Sequence, residues 1–136
     1  MPHRAMISLK AAAGGVLAAS VIASTVLTTA ALAHHGWSWA DADQIELQGR
    51  ITDIYIGPPH PTLKVQTASD GLWTVELGNP TQTQRAGFVE GSAKAGDQIT
   101  VLGNRSQDKQ EKRLKAVRIT VGAKTFDIYP ERIRTN

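Results

Sequence analysis

The sequence contains no cysteine. Disulfide scaffolds, thiol catalysis, iron–sulfur clusters and every cysteine-based zinc motif are thereby excluded. Methionine is confined to Met1 and Met6, so no soft sulfur ligand exists beyond the first six residues. Aromatic residues make up 5% and charged residues 20% of 136 positions, a length that suits one small domain and excludes a large multidomain enzyme. The sequence has no G-x-S-x-G element for a nucleophilic serine, and its scattered carboxylates carry no acid–base signature.

What is present begins with an export signal. Arg4 and Lys10 precede a stretch, 11–30, made of Ala, Gly, Val, Leu, Ile, Ser and Thr without a charge. Ala31-Leu32-Ala33 then supplies an A-x-A cleavage site. The expectation is a secretory signal peptide over 1–33, cleaved after Ala33. A retained anchor is the alternative, since about twenty apolar residues can span a bilayer; the Ala/Ser/Thr content is only weakly hydrophobic and argues against it. Without paired arginines or a lipoprotein cysteine, the route is general secretion, and the expected location is the periplasm. Membrane contact is expected only through the signal segment before cleavage.

Cleavage also changes the charge. Arg4 and Lys10 depart with the signal, which leaves 13 basic and 12 acidic residues over 103 positions, a net +1 in place of +3. No polyanion-binding footprint remains, and no nucleic-acid partner is expected.

The remaining chain predicts an all-β domain with one short helix. Residues 34–43 lack periodicity and read as an N-terminal arm. Ile45, Leu47, Gly49, Ile51, Ile54 and Ile56 nearly alternate, which predicts a half-buried strand with a bulge near Gly49–Asp53. Pro58, Pro59 and Pro61 break it. Leu63, Val65 and Thr67 alternate again, Ser69-Asp70-Gly71 supplies a hairpin turn, and Leu72 to Leu77 resumes the pattern. Asn79 as N-cap and Pro80 at the first helical position predict a short helix near 80–90. Lys94-Ala95-Gly96-Asp97 turns into a strand from Ile99 to Gly103. The polar run Asn104 to Arg113 reads as a solvated hairpin loop, followed by a strand over 114–121 and a short one over 125–129. Three strands, a helix, two strands and a small terminal one match a small OB-like barrel of five to six strands. The predicted limits are 44–130 for the barrel and 131–136 for a polar tail; a split or sandwich-like sheet is the alternative.

The chain resembles the DUF6152-type family of small secreted bacterial proteins, a domain of unknown function. The resemblance rests on Ala33-His34-His35, the strand Leu47-Gln48-Gly49-Arg50-Ile51-Thr52-Asp53-Ile54, the step Pro59-His60, the strand Trp73-Thr74-Val75-Glu76 and the run Lys94-Ala95-Gly96-Asp97-Gln98-Ile99-Thr100-Val101. Pro58 stands where that family usually has Asn, and Gly36-Trp37 where a Ser-Phe pair is common. The resemblance supports the domain layout and brings no assigned activity.

Three histidines survive cleavage: His34, His35 and His60. A free amine on His34, with an ordinary pKa near 8, can yield its proton to a metal at neutral pH. Amine, intervening amide and imidazole nitrogens form a tetragonal set that suits Cu(II) first and Zn(II) second. His60, in a loop stiffened by three prolines, is the candidate third imidazole. The expected metal site is therefore His34, His35 and His60. A solvated arm and a locally bonded turn histidine are the plainer readings of the same residues. Trp37 and Trp39 read as staples holding the arm to the core, and Asp41, Asp43 and Glu46 as a solvated acidic turn or as outer partners of ligand histidines. Lys109, Lys112, Arg113, Lys115 and Arg118 read as a solvated basic loop.

Two main function classes follow. One is a periplasmic metal-binding protein that buffers or delivers copper(II). The other is an OB-type secreted interaction module that binds a protein or a glycan without metal. A copper oxygenase on the His34 amine is chemically allowed, but so small a domain shows no substrate platform, and catalysis is not expected.

Overall fold

The computed structural model describes residues 36–134. The expected signal peptide, His34 and His35 lie outside the described residues. Six strands follow in order: β1 (Ala40–Tyr55), β2 (Thr62–Gln66), β3 (Leu72–Glu76), β4 (Gln98–Ser106), β5 (Arg113–Val121) and β6 (Lys124–Asp127). One helix, α1 (Pro80–Arg85), separates β3 from β4, and a 3-10 turn, Pro130–Arg132, follows β6.

Alternation decides which side of each strand turns inward. Leu47, Val101, Ile119 and Phe126 are directly paired across β1, β4, β5 and β6, and all four are buried. Ile51, Val65 and Trp73 do the same across β1, β2 and β3. Each such row removes branched and aromatic side chains from water at roughly 25 cal/mol per Å² of apolar surface. The rows one residue over face outward and are mainly polar, with Leu72 and Leu102 as exceptions.

The sheet order is β3-β2-β1-β4-β5-β6, and it closes because β3 also pairs with β5, in parallel, through Thr74–Arg113, Val75–Leu114 and Glu76–Lys115. A five-stranded barrel in which strand 1 pairs with strands 2 and 4, strand 3 meets strand 5, and a helix bridges strands 3 and 4 is an OB-type barrel. The sequence expectation of that fold is met. Closure needs strands that bend sharply, and two glycines permit it. A Cβ on Gly49 would overlap the Gln66 carbonyl oxygen, and one on Gly103 would overlap the Lys115 carbonyl oxygen.

The helix forms where its cap is. Asn79 Oδ1 accepts from the Gln82 N–H at 2.8 Å, Pro80 occupies the first turn, and buried Thr83 donates to the Gly78 carbonyl at 3.0 Å. It ends at Arg85, short of the expected 90, because Gly87 turns the chain with φ +89° and delivers Phe88 into the barrel end. There Phe88 meets Phe126 edge to face at 5.2 Å. The expected bulge in β1 lies between Ile51 and Asp53.

Two expectations need correction. Asn104 to Ser106 do not belong to the loop: they extend β4, because the supposed arm folds back as the start of β1 and pairs Ala40 with Ser106. The loop shrinks to 107–112. A second register shift, between Ala40 and Gln44, is held by the Asn104 amide, which donates to the carbonyls of Asp41 (2.9 Å) and Ala42 (3.2 Å). The second correction concerns the basic run. Arg113, Lys115 and Arg118 lie on β5, and Lys115 is only 2% exposed, so a solvated loop describes Lys109 and Lys112 alone.

Candidate functional site

The seam between β3 and β5 gathers the chain's unusual side chains on its outer face. On β5, Leu114 turns into the core, so Arg113 and Lys115 turn outward; on β3, Val75 turns in, so Leu72, Thr74 and Glu76 turn outward. Their parallel register sets Glu76 beside Lys115 and Thr74 beside Arg113. The first residues of the described chain are then laid over them.

Arg113 anchors the cluster. Its Nε donates to Glu76 Oε2 at 2.6 Å, a second guanidinium nitrogen lies 2.5 Å from the same oxygen, and the guanidinium stacks 3.8 Å above the Trp39 ring. A planar cation can serve a carboxylate and a ring face at once, which a lysine ammonium cannot do as well. Trp37 meets Tyr129 edge to face at 4.9 Å, and Arg132 lies 4.0 Å over the Trp37 ring.

Between these layers sits Lys115. Its Nζ donates to the Leu77 carbonyl at 3.1 Å and lies 5.8 Å from the ring centres of both Trp37 and Tyr129. Burial lowers the Lys115 pKa from its ordinary 10.5; Glu76 opposes the shift and Arg113 adds to it. Burial likewise raises the Tyr129 phenol above its ordinary 10.0. The reading of Trp37 and Trp39 as staples is therefore realised, with cations as the surface they are stapled to.

His60 ends the loop between β1 and β2, after a cis Pro58–Pro59 peptide, and is half-buried. The next residue, Pro61, accepts the Leu77 N–H at 2.9 Å. Leu77 thus joins the His60 loop on its N–H side to Lys115 on its carbonyl side. Among the described residues no three His, Asp or Glu side chains form a group that could hold a metal ion. His34 and His35 lie outside the described residues, so of the expected ligand set the structure positions His60 alone.

The acidic residues after the arm have other partners. Asp41 pairs with Lys109, whose hydrogen bond is the main reason its carboxyl titrates below 3.8, and Glu46 accepts from Gln48 at 2.8 Å. Asp43 is exposed on β1.

Sequence reasoning missed the coupling of Glu76, Arg113 and Lys115. They meet only through the parallel closure, across 39 positions between Glu76 and Lys115, and no local pattern records that pairing. The one available signal was a lysine inside the otherwise apolar run Leu114-Lys115-Ala116-Val117.

No curated protein matches the chain. Among solved structures, the Stn1–Ten1 complex of S. pombe is similar at TM-score 0.47 and 21% identity, over 60% of this chain and 59% of that one. The chain thus spans about three fifths of the length of that relative. The mitochondrial single-stranded DNA binding protein Rim1 of S. cerevisiae is similar at TM-score 0.46 and 12% identity, over 60% of this chain and 95% of that one. A family model matches residues 21–115, most of the barrel included, and by that match the chain belongs to the family of unknown function DUF6152.

Proposed function

We propose that the protein is an exported interaction module that binds a protein partner through the outer face of the β3–β5 seam. The observation that carries this reading is the Arg113 arrangement, a guanidinium bonded to Glu76 and stacked on Trp39 beside exposed Leu72. Two of the three tryptophans, one of the two tyrosines, Arg113 and Arg132 sit on this face. Trp, Tyr and Arg in a half-desolvated cluster are the residues that dominate binding energy at protein interfaces. Each indole already carries a guanidinium over one ring face, which leaves less room for a stacked sugar and favours a polypeptide. The experiment is site-specific photo-crosslinking in the exporting cell. A photoreactive residue at Leu72 should give a discrete protein adduct that Arg113→Ala weakens, while one at exposed Glu90, on the α1–β4 connection, should not. Equal labelling at both positions refutes the assignment.

A second reading, a Cu(II) carrier using His34, His35 and His60, is favoured by one observation. Trp37 packs near Lys115, which bonds Leu77, and Leu77 bonds the residue after His60. In the sequence His35 precedes Trp37 by two positions, a chain reach of at most about 7 Å. In this reading the His34 amine and ring, the His35 ring and the His60 ring share one copper, with zinc as the weaker alternative. Copper titration of the cleaved protein should give one site with the visible band of nitrogen ligation, and His34→Ala, His35→Ala and His60→Ala should each weaken it. Unchanged binding in the triple variant removes this reading.

A further inference from the structure

Farther round the outer face of the barrel the chemistry is different. Outward residues that are directly paired across strands form rows, and two of these rows are almost free of charge. Gln66, Arg50 and Gln98 are aligned across β2, β1 and β4, and the row ends on exposed Leu72 of β3. One step along, Gln48, Thr100, Thr120 and Thr125 are aligned across β1, β4, β5 and β6. The next row, Glu46–Leu102–Arg118–Asp127, carries the charges. Two grooves, of about 480 Å³ and 230 Å³, run over the neutral rows and share Gln48 and Gln98, so they form one continuous track. Neither is lined by a carboxylate or an aromatic ring, and Arg50 is the sole charged lining residue.

The row is ordered from within. Arg50 donates to the Gly96 carbonyl at 2.8 Å; with the Gln98 amide turned so that both its ends are satisfied, its oxygen accepts from Arg50 at 2.9 Å and its nitrogen donates to the Gly49 carbonyl at 3.0 Å. The Thr120 and Thr125 hydroxyl oxygens lie 3.4 Å apart. The sole cation is thus tied to its own sheet, although it stays exposed. What remains toward solvent is a set of amides and hydroxyls at the cross-strand spacing of about 5 Å.

We propose that this face binds a neutral, hydroxyl-rich polysaccharide strand lying across β2, β1, β4 and β5. A carboxylate only accepts hydrogen bonds and an ammonium only donates them, whereas glutamine amides and threonine hydroxyls do both. A sugar hydroxyl also does both, so a row of amides and hydroxyls satisfies successive hydroxyls in either direction. Arg50 is the one cation an acidic polymer would meet on this track, and its hydrogen bonds to the Gly96 carbonyl and the Gln98 side chain restrict its reach. A shallow, water-exposed track gives weak binding to each short oligosaccharide, on the order of 1 mM, and bridging waters carry part of it. The track borders the β3–β5 seam at Leu72, which is paired with Gln66, but its Gln48–Thr100–Thr120 row lies away from that edge, so valine variants in that row test it separately from the protein-binding and copper readings.

The test is an amide NMR titration of the folded protein with a neutral six-unit gluco-oligosaccharide, with oligogalacturonate of equal length as the acidic control. Shifts concentrated at Gln48, Arg50, Gln66, Gln98, Thr100 and Thr120 are expected with the neutral sugar only. Thr100→Val with Thr120→Val keeps side-chain shape and β propensity while deleting both hydroxyls, and should weaken binding at least fivefold with the spectrum otherwise that of the folded protein. Gln66→Ala tests the far row in the same way, and Trp39→Ala should leave sugar binding unchanged. Absence of shifts, shifts confined to Trp37 and Trp39, an equal response to the acidic oligomer, or full binding by the double valine variant each overturns the proposal.

Discussion

Replacing Lys115 by methionine should abolish a specific alkaline gain in stability. The ammonium is 2% exposed, has the Leu77 carbonyl at 3.1 Å and two rings at 5.8 Å, while the nearby Glu76 carboxylate is engaged by Arg113. Burial therefore lowers its pKa in the folded state, whereas the unfolded chain keeps the ordinary 10.5. Between those two values the unfolded state holds more protons, so unfolding becomes harder as pH rises, by up to about 1.4 kcal/mol per pH unit. Below the folded-state pKa the contribution is flat. Tyr129 acts with the opposite sign: its folded pKa is raised, so its contribution is lost only as pH climbs past 10.0. Urea unfolding from pH 7 to pH 10 isolates the lysine. Wild type should gain stability over the upper part of that range relative to Lys115→Met. Methionine keeps most of the buried stem but leaves the Leu77 carbonyl without its donor, a cost of about 1–3 kcal/mol set against release from burying a charge. Lys115→Ala lacks the methylene, sulfur and methyl that methionine keeps beyond Cβ, at about 0.8 kcal/mol for each such group, and should be roughly 2 kcal/mol less stable than the methionine variant. Parallel pH profiles for wild type and Lys115→Met, or an alanine variant as stable as methionine, would refute the account of a desolvated ammonium.

Other substitutions test the frame around the site. Gly103→Ala drives a methyl group into the Lys115 carbonyl at the β4–β5 crossing, and should cost several kcal/mol or prevent folding, read by urea midpoint or soluble yield. Asn79→Ala removes the acceptor for the Gln82 N–H and should lower stability by about 1 kcal/mol. The Asp127 carboxyl is held below 3.8 chiefly by its hydrogen bond to Arg118, so its contribution is present above that value and disappears as pH falls through the lower folded-state pKa. With the pair more than a third exposed, the loss seen in Asp127→Asn by thermal unfolding at pH 6 should stay under about 1 kcal/mol.

Much of this molecule was legible in the sequence because its signals are local. Alternation at Ile45, Leu47, Gly49 and Ile51 places one side of β1 inward whatever it pairs with, and Asn79-Pro80 starts a helix by its own hydrogen bond and fixed φ. The strand and helix order then leaves few topologies, of which the OB-type barrel is one. Partnership was not legible. Asn104 and Ser106 look like loop residues until Ala40 arrives to pair with Ser106, and Lys115 looks solvated until Trp37 and Tyr129 cover it. The neutral rows were hidden for the same reason: Gln48, Thr100 and the Thr120–Thr125 hairpin are far apart in sequence, and only register makes them neighbours. For the candidate histidines, the residue types were readable, whereas His34 and His35 fall outside the described residues.

The parallel seam also sets an order of events in time. Val75 meets Leu114 across 39 positions, and Ala40 meets Ser106 across 66. Such distant contacts are slow to form because the intervening loop must be ordered before they stabilise anything. During synthesis the β1–β2–β3 meander can assemble early from neighbouring strands, but Trp73 and Val75 stay open on one flank until β5 emerges. A chain stopped after β4 is therefore expected to remain an open sheet with its core accessible to chaperones and proteases, and to become resistant only once residues up to Val121 are present.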